Sequence, residues 1–216
     1  RIVGGAPLYV SNWVHIGGTV ATRALTDEEF SKLRAMPAEG TLIWGSAPGH
    51  PQSGSAYRST GGAPVHVTDW SRVGAPPASA TMVDLAAILH AGEGGVWNHL
   101  RPIPADGTLI WGSAPGQPLH GSAYRITGGA PVAVTDWGRI GAAPGTAQVV
   151  DLAAIVNAGT GGVWDHLRAT PADGTLIWGA APGDALHGSV YRVTGGAPVH
   201  VTDWARVGAG PGSAQV

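Results

Sequence analysis

The chain has no cysteine. That excludes a disulfide framework and any thiolate metal site, and leaves the redox compartment open. Charge is scarce as well: Asp, Glu, Lys and Arg make up 12% of the residues and the formal net charge is −2. Lys32 is the single lysine, and no basic block exists. A nucleic-acid backbone therefore has nothing to bind to electrostatically, and no nucleic-acid partner is expected. No apolar run approaches the ~18 residues of a membrane-crossing helix, so no membrane span is expected either. No signal peptide is visible. The chain does have 35 glycines, 17 prolines and nine tryptophans. This glycine and proline content is near the level at which disorder is considered. The tryptophans and a regular apolar alternation argue instead for a chain that buries a core.

One stretch organises the rest. Tyr124 to Trp137 reads YRITGGAPVAVTDW; it recurs as YRSTGGAPVHVTDW from Tyr57 and as YRVTGGAPVHVTDW from Tyr191. A divergent copy, RIVGGAPLYVSNW, opens the chain from Arg1 to Trp13. Tyr57, Tyr124 and Tyr191 are 67 residues apart, as are Trp44, Trp111 and Trp178. A period of this size marks a repeat architecture whose units bury their apolar faces against one another. The segments are 1–56, a divergent first unit; 57–123 and 124–190, whole units; and 191–216, a partial one. Arg1 matches Arg58, Arg125 and Arg192, and Ser213 to Val216 break off mid-unit, so the spacing predicts a piece of a longer array.

The stretch reads as a β-hairpin. Gly128-Gly129 supplies the positive φ that a two-residue loop requires. Tyr124, Ile126, Val132 and Val134 are expected to share an apolar face, with Arg125 and Thr127 on the other. Gly40 to Gly49, GTLIWGSAPG, predicts a short strand with Leu42 and Trp44 on one face. Val83 to Gly92 and Val150 to Gly159 are nearly continuous apolar runs that fit a buried strand as well as a short helix; the helix of one to two turns is favoured, with Asp84 and Asp151 placed to cap it and Gly92 and Gly159 to end it. In the first segment, Thr26 and Glu29 form a capping-box pattern that predicts a helix from about Asp27. The expected fold is thus a mainly β repeat protein. Each unit has about three strands and one short helix, and the units form propeller-like blades or an open stacked row.

The candidate chemistry is thin. RIVGG resembles the activation site of trypsin-like serine proteases. No GDSGG nucleophile motif accompanies it, and the same residues align with RSTGG, RITGG and RVTGG, which are hairpin turns. The nine histidines do not pair with ligand spacing, so no metal or other cofactor is expected. Asp69, Asp136 and Asp203 recur once per unit in Thr-Asp-Trp. A glycosidase needs two different carboxylates in one cleft, whereas this is one carboxylate repeated. Asp in this setting also bonds a nearby backbone N–H. The remaining option is binding. The pairs Asp69-Trp70, Asp136-Trp137 and Asp203-Trp204 combine a ring face with a carboxylate, the chemistry that holds a pyranose, and repetition adds avidity. The position occupied by Tyr9, His66, Ala133 and His200 changes type between copies, which fits a solvated or ligand-facing site. Against binding, tryptophans at such spacing also serve as core.

The residues GGAPLYVSNW (Gly4 to Trp13), GGAPVHVTDW and PADGTLIWG resemble a tandem β-hairpin repeat of secreted actinobacterial proteins, and the likeness covers nearly the whole chain. That repeat often accompanies extracellular hydrolase or cell-wall domains, has no settled function and has no assigned catalytic residues. The resemblance implies an exported, accessory or adhesive module on the cell surface. Residues and resemblance together predict a non-enzymatic extracellular module whose partners are a glycan or cell-surface polymer and neighbouring units or copies of itself. The alternatives are a structural spacer, stalk or self-assembling surface-layer unit, and an accessory domain of a secreted hydrolase.

Overall fold

The computed structural model describes residues 1–215; Val216, the last residue of the fourth segment, lies outside them. The described residues are mainly β, with 13 strands in four small sheets and few short helices. A two-stranded hairpin, β1 (Ile2–Val3) and β2 (Ala6–Pro7), opens the chain, followed by the helix α1 (Asp27–Ser31). Thr26 caps that helix: its hydroxyl accepts from Glu29 N–H, and Glu29 Oε2 accepts from Thr26 N–H at 3.0 Å.

The second sheet holds β3 (Leu42–Ser46), β4 (Ala56–Thr60), β5 (Ala63–Val67) and β6 (Thr81–Asp84), in the order β5-β4-β3-β6. The first three strands form an antiparallel meander. The chain then crosses over and adds β6 parallel to β3, with Ile43 opposite Thr81. The helix α2 (Leu85–Leu89) follows at once, N-capped by Asp84. The next 67 residues repeat this arrangement: β7 (Leu109–Ser113), β8 (Ala123–Thr127), β9 (Ala130–Val134), β10 (Gln148–Asp151) and α3 (Leu152–Val156), in the order β9-β8-β7-β10. A three-stranded sheet of β11 (Leu176–Trp178), β12 (Val190–Thr194) and β13 (Ala197–His200) comes next, then a helical turn, α4 (Trp204–Val207).

Two expectations are corrected here. Asp84 and Asp151 cap the helices as expected, but α2 and α3 end at Leu89 and Val156, short of Gly92 and Gly159, and the residues up to each cap form an additional strand, β6 or β10. A continuous apolar run suits a strand covered on both faces as well as it suits a buried helix, so periodicity does not separate the two. Each whole unit therefore has four strands. Nor do Tyr124 and Ile126 share a face with Val132 and Val134. The two-residue turn pairs Thr127 with Ala130, so Tyr124 stands opposite Ala133, and Val132 stands opposite Arg125. Cross-strand partners lie on the same face, and a shift of one residue reverses every side chain.

Both faces of the hairpin are consequently available for burial. Tyr57 packs with Ile43 and Val83 of its own sheet and Leu85 and Ile88 of α2, together with Val3 of the opening hairpin and Leu8 just after it. Val65, on the other face of its hairpin, joins Ile110, Ile126 and Val150 of the following sheet and Leu167 beyond it. Each of these two cores is thus built on one sheet with a contribution from the hairpin before it. Complete burial of a valine such as Val65, 1% exposed, contributes roughly 1.5–3 kcal/mol.

The glycine turns form a second seam. Gly61 and Gly62 have φ of 56° and 82°, as a two-residue hairpin loop demands. Their carbonyls accept from Ala105 N–H and Arg101 N–H of the stretch leading into β7, each at 2.9 Å. A Cβ on Gly61 would lie 2.5 Å from Thr108 Oγ1 and 2.9 Å from Ala105 N, so glycine is required by contact as well as by φ.

Candidate functional site

Asp69 and its counterparts act locally. Each follows an extended stretch and caps the turn that begins at the next tryptophan. Asp69 Oδ1 accepts from Ser71 N–H at 2.9 Å, Asp136 Oδ1 from Gly138 N–H at 2.9 Å, and Asp203 Oδ1 from Ala205 N–H at 2.9 Å. Asn12 does the same for Val14 N–H at 3.0 Å. Hydrogen bonds from the Ser71 hydroxyl and then its N–H hold Asp69 below the usual carboxylate range. All three aspartates are exposed.

The neighbouring tryptophans are half-buried. Trp70 lies against Leu42, Ala56, Val67 and Val73. Trp137 stacks on Trp111, with ring centroids 6.5 Å apart and planes 20° apart. Trp204 is half-buried and Trp13 is 44% exposed.

At Tyr9 and His66 the variable position is drawn into contacts between segments. Tyr9 meets Trp97 edge-on at 5.0 Å, and His66 meets Trp164 edge-on at 4.6 Å. Burial pushes His66 down to about 4, so this imidazole is neutral at pH 7. Ala133 is exposed, and His200 is exposed with its ring 5.4 Å from that of Tyr191.

The residues that join segments most directly are two other aspartates, Asp84 and Asp151. Asp151 is fully buried. Its Oδ2 accepts from Thr68 N–H at 2.7 Å, from the Thr68 hydroxyl, and from Asp69 N–H at 3.3 Å. Its Oδ1 accepts from Arg72 Nη1 at 2.9 Å and from Ala153 N–H at 2.9 Å, the latter capping α3. Asp84 repeats the arrangement with the opening copy. Its Oδ2 accepts from Ser11 N–H and the Ser11 hydroxyl, both at 2.6 Å, and from Asn12 N–H at 3.1 Å; His15 Nδ1 lies 2.9 Å from its Oδ1. His15 thus stands where Arg72 stands one period later. Burial raises the affinity of both carboxylates for a proton, but the converging donors outweigh it and both lie below the usual range.

A buried carboxylate with its acceptor positions filled is a fastener, with no lone pair aimed at a substrate. The sequence shows Asp84 and Asp151 only as helix caps. Their partners lie 73 and 83 residues earlier, and no local pattern connects them. The one available signal was that each carboxylate interrupts an otherwise apolar run, where a charge must find partners. Among the described residues no three His, Asp or Glu side chains come together as a metal site would require. No helix among them is long and apolar enough to cross a membrane.

No family model, curated protein or solved structure matches the chain.

Proposed function

We propose that the chain is a non-enzymatic, extracellular structural module, a spacer or stalk in which successive units stack in an open row. The observation that carries this reading is the pair of buried clasps, Asp84 on Ser11 and Asn12, and Asp151 on Thr68 and Asp69. The motifs Ser11-Asn12-Trp13 and Thr68-Asp69-Trp70 each serve two purposes at once. In each, the asparagine or aspartate side chain caps its own turn, while the backbone donors and the serine or threonine hydroxyl hold the carboxylate of the following unit. The clasps and the shared cores connect one segment to the next, while β13 stays exposed along its length, which supports a row over a closed ring. Small-angle scattering on tandem chains lengthened by whole units tests this. The largest dimension should grow by a constant increment per unit, and a plateau would refute the row.

A second reading, binding of a cell-surface glycan, is favoured by the half-exposed Trp111–Trp137 stack beside the exposed Asp136. A glycan array decides it: saturable binding that Trp137→Ala abolishes would support it, and uniform background on every polysaccharide would remove it.

A further inference from the structure

Every arginine except Arg23 belongs to one of three sets that recur from unit to unit. Two sets are engaged within the fold. In the hairpin set, Arg58 Nη1 donates to Val149 O at 2.8 Å. In the second, Arg72, Arg139 and Arg206 lie 2.9, 3.2 and 3.4 Å from carboxylate oxygens of Asp151, Asp136 and Asp203. The third set is Arg34, Arg101 and Arg168. All three are exposed, and among the described residues no hydrogen bond or ion pair reaches their guanidinium groups.

The rest of each of these arginines is held. Their backbone N–H groups donate to the carbonyls of Gly5, Gly62 and Gly129 at 2.9, 2.9 and 3.0 Å. Their stems lie over the same turns: a Cβ on Gly5, Gly62 or Gly129 would fall 2.9, 3.1 or 2.9 Å from the arginine Cδ. The stem covers the turn and the charged head stays in water. An arginine anchored in this way has less freedom to lose on binding.

Arg34 and Arg101 line one groove of about 610 Å³, together with Met36, Pro37, Gly61 and Gly62. Two segments build it, and all of its lining is interior to the chain. Glu39 lines the groove too, but that carboxylate is engaged. Its Oε2 accepts from Gly61 N–H at 3.0 Å, and its charge is set against Arg58. The groove thus combines an apolar lining with two uncompensated positive charges. The pattern continues at the next turn, where Ile103 and Arg168 approach Gly129 as Met36 and Arg101 approach Gly62. Asp106 is engaged there, accepting from Gly129 N–H at 3.2 Å.

We infer that this edge of the protein is a binding track for an acidic polysaccharide, a chain of uronic acid residues. Its carboxylates pair with the guanidinium forks of Arg34, Arg101 and Arg168. The apolar faces of its pyranose rings rest on Met36 and Pro37. Positive charge alone would serve any polyanion; the apolar lining between the charges selects a sugar ring over a phosphate chain. Recurrence of the arginine adds avidity. The track shares no residue with the Trp137 surface or with the clasps, so its failure would leave both readings above untouched, and theirs would leave it standing.

The probe is a hexamer of galacturonic acid, titrated calorimetrically against the whole chain at pH 7 and low salt. Saturable binding is expected, weakened by added salt because the pairs are exposed. The neutral galactose hexamer should not bind. Arg101→Met keeps a stem over Gly62 and removes the charge; it should weaken binding about 10-fold. Arg206→Met makes the same change in net charge elsewhere and should leave binding intact. The unaltered chain gives a second readout that no folding defect confounds. Phenylglyoxal labels exposed guanidinium groups, and the hexamer should slow labelling of Arg34, Arg101 and Arg168 while Arg206 reacts as before. No saturation by about 5 mM hexamer, equal loss in the two variants, or no protection of Arg34 and Arg101 overturns the proposal. Tighter binding of a polyphosphate of equal charge would overturn the sugar assignment and give the track to phosphate polymers.

Discussion

Replacing Asp151 with alanine removes the acceptor for four donors that cross between segments: Thr68 N–H, the Thr68 hydroxyl, Asp69 N–H and Arg72 Nη1. At a net contribution of about 1 kcal/mol per bond, the loss is about 4 kcal/mol. The cost of breaking a buried ion pair points the same way, at roughly 3–5 kcal/mol. Arg72, with its side chain 28% exposed, regains water and moves the expectation towards the lower end. Because units in a repeat protein open locally, native-state hydrogen exchange is the suitable assay. A change of 3–4 kcal/mol should speed exchange of the Thr68 and Ala153 amides by roughly 10²–10³-fold. Asp136→Ala is the control, an exposed cap whose loss costs about 0.5–2 kcal/mol. If Asp151→Ala costs no more than Asp136→Ala, the clasp does not hold the segments together and the proposed function loses its support. The acid dependence has a definite sign. The folded carboxylate lies below its ordinary 3.8, so its stabilisation is complete above that pH and disappears as pH falls through the lower folded value.

Two more outcomes can be measured separately. His66 is held down to about 4 from an ordinary 6.5, so the unfolded chain takes up its proton first and stability should decline as pH falls from 6.5 towards 4. His66→Tyr, which installs the residue found at Tyr9, should reduce that slope in denaturant titrations; an unchanged slope would show that His66 does not couple to unfolding. Gly128→Ala should be far worse than Gly116→Ala. Both glycines have positive φ, costing roughly 1–2 kcal/mol for alanine. A Cβ on Gly128, however, also falls 2.8 Å from Ala172 N, while one on Gly116 meets nothing within 4 Å. Equal melting temperatures for the two variants would refute the turn's role in the seam.

The Gly-Gly turns, the LIWG strands and the Thr26 cap were legible because each depends on a handful of adjacent residues: positive φ, alternation, and a side chain returning to a nearby N–H. The fourth strand was not. From Val83 through Ile88 the residues are almost all apolar, and the change from extended to helical at Asp84 is made where β6 pairs with β3, a contact that no local pattern encodes. The hairpin's register was open for the same kind of reason. Pairing Thr127 with Ala130 places Val132 beside Arg125, and apolar alternation along each strand fits either choice.

The candidate site divides in the same way. Asp69, Asp136 and Asp203 stood out in the sequence by repetition, and their capping bonds span only two residues. Asp84 and Asp151 repeat as well, yet only the tertiary structure made them fasteners, by bringing together donors from more than 70 residues earlier in the chain. By itself the sequence determined the period, the turns and the caps, since those energies are local. Which carboxylates are buried, and what they hold, was decided by folding. A charge leaves water only when several donors converge on it, and only packed segments bring those donors together.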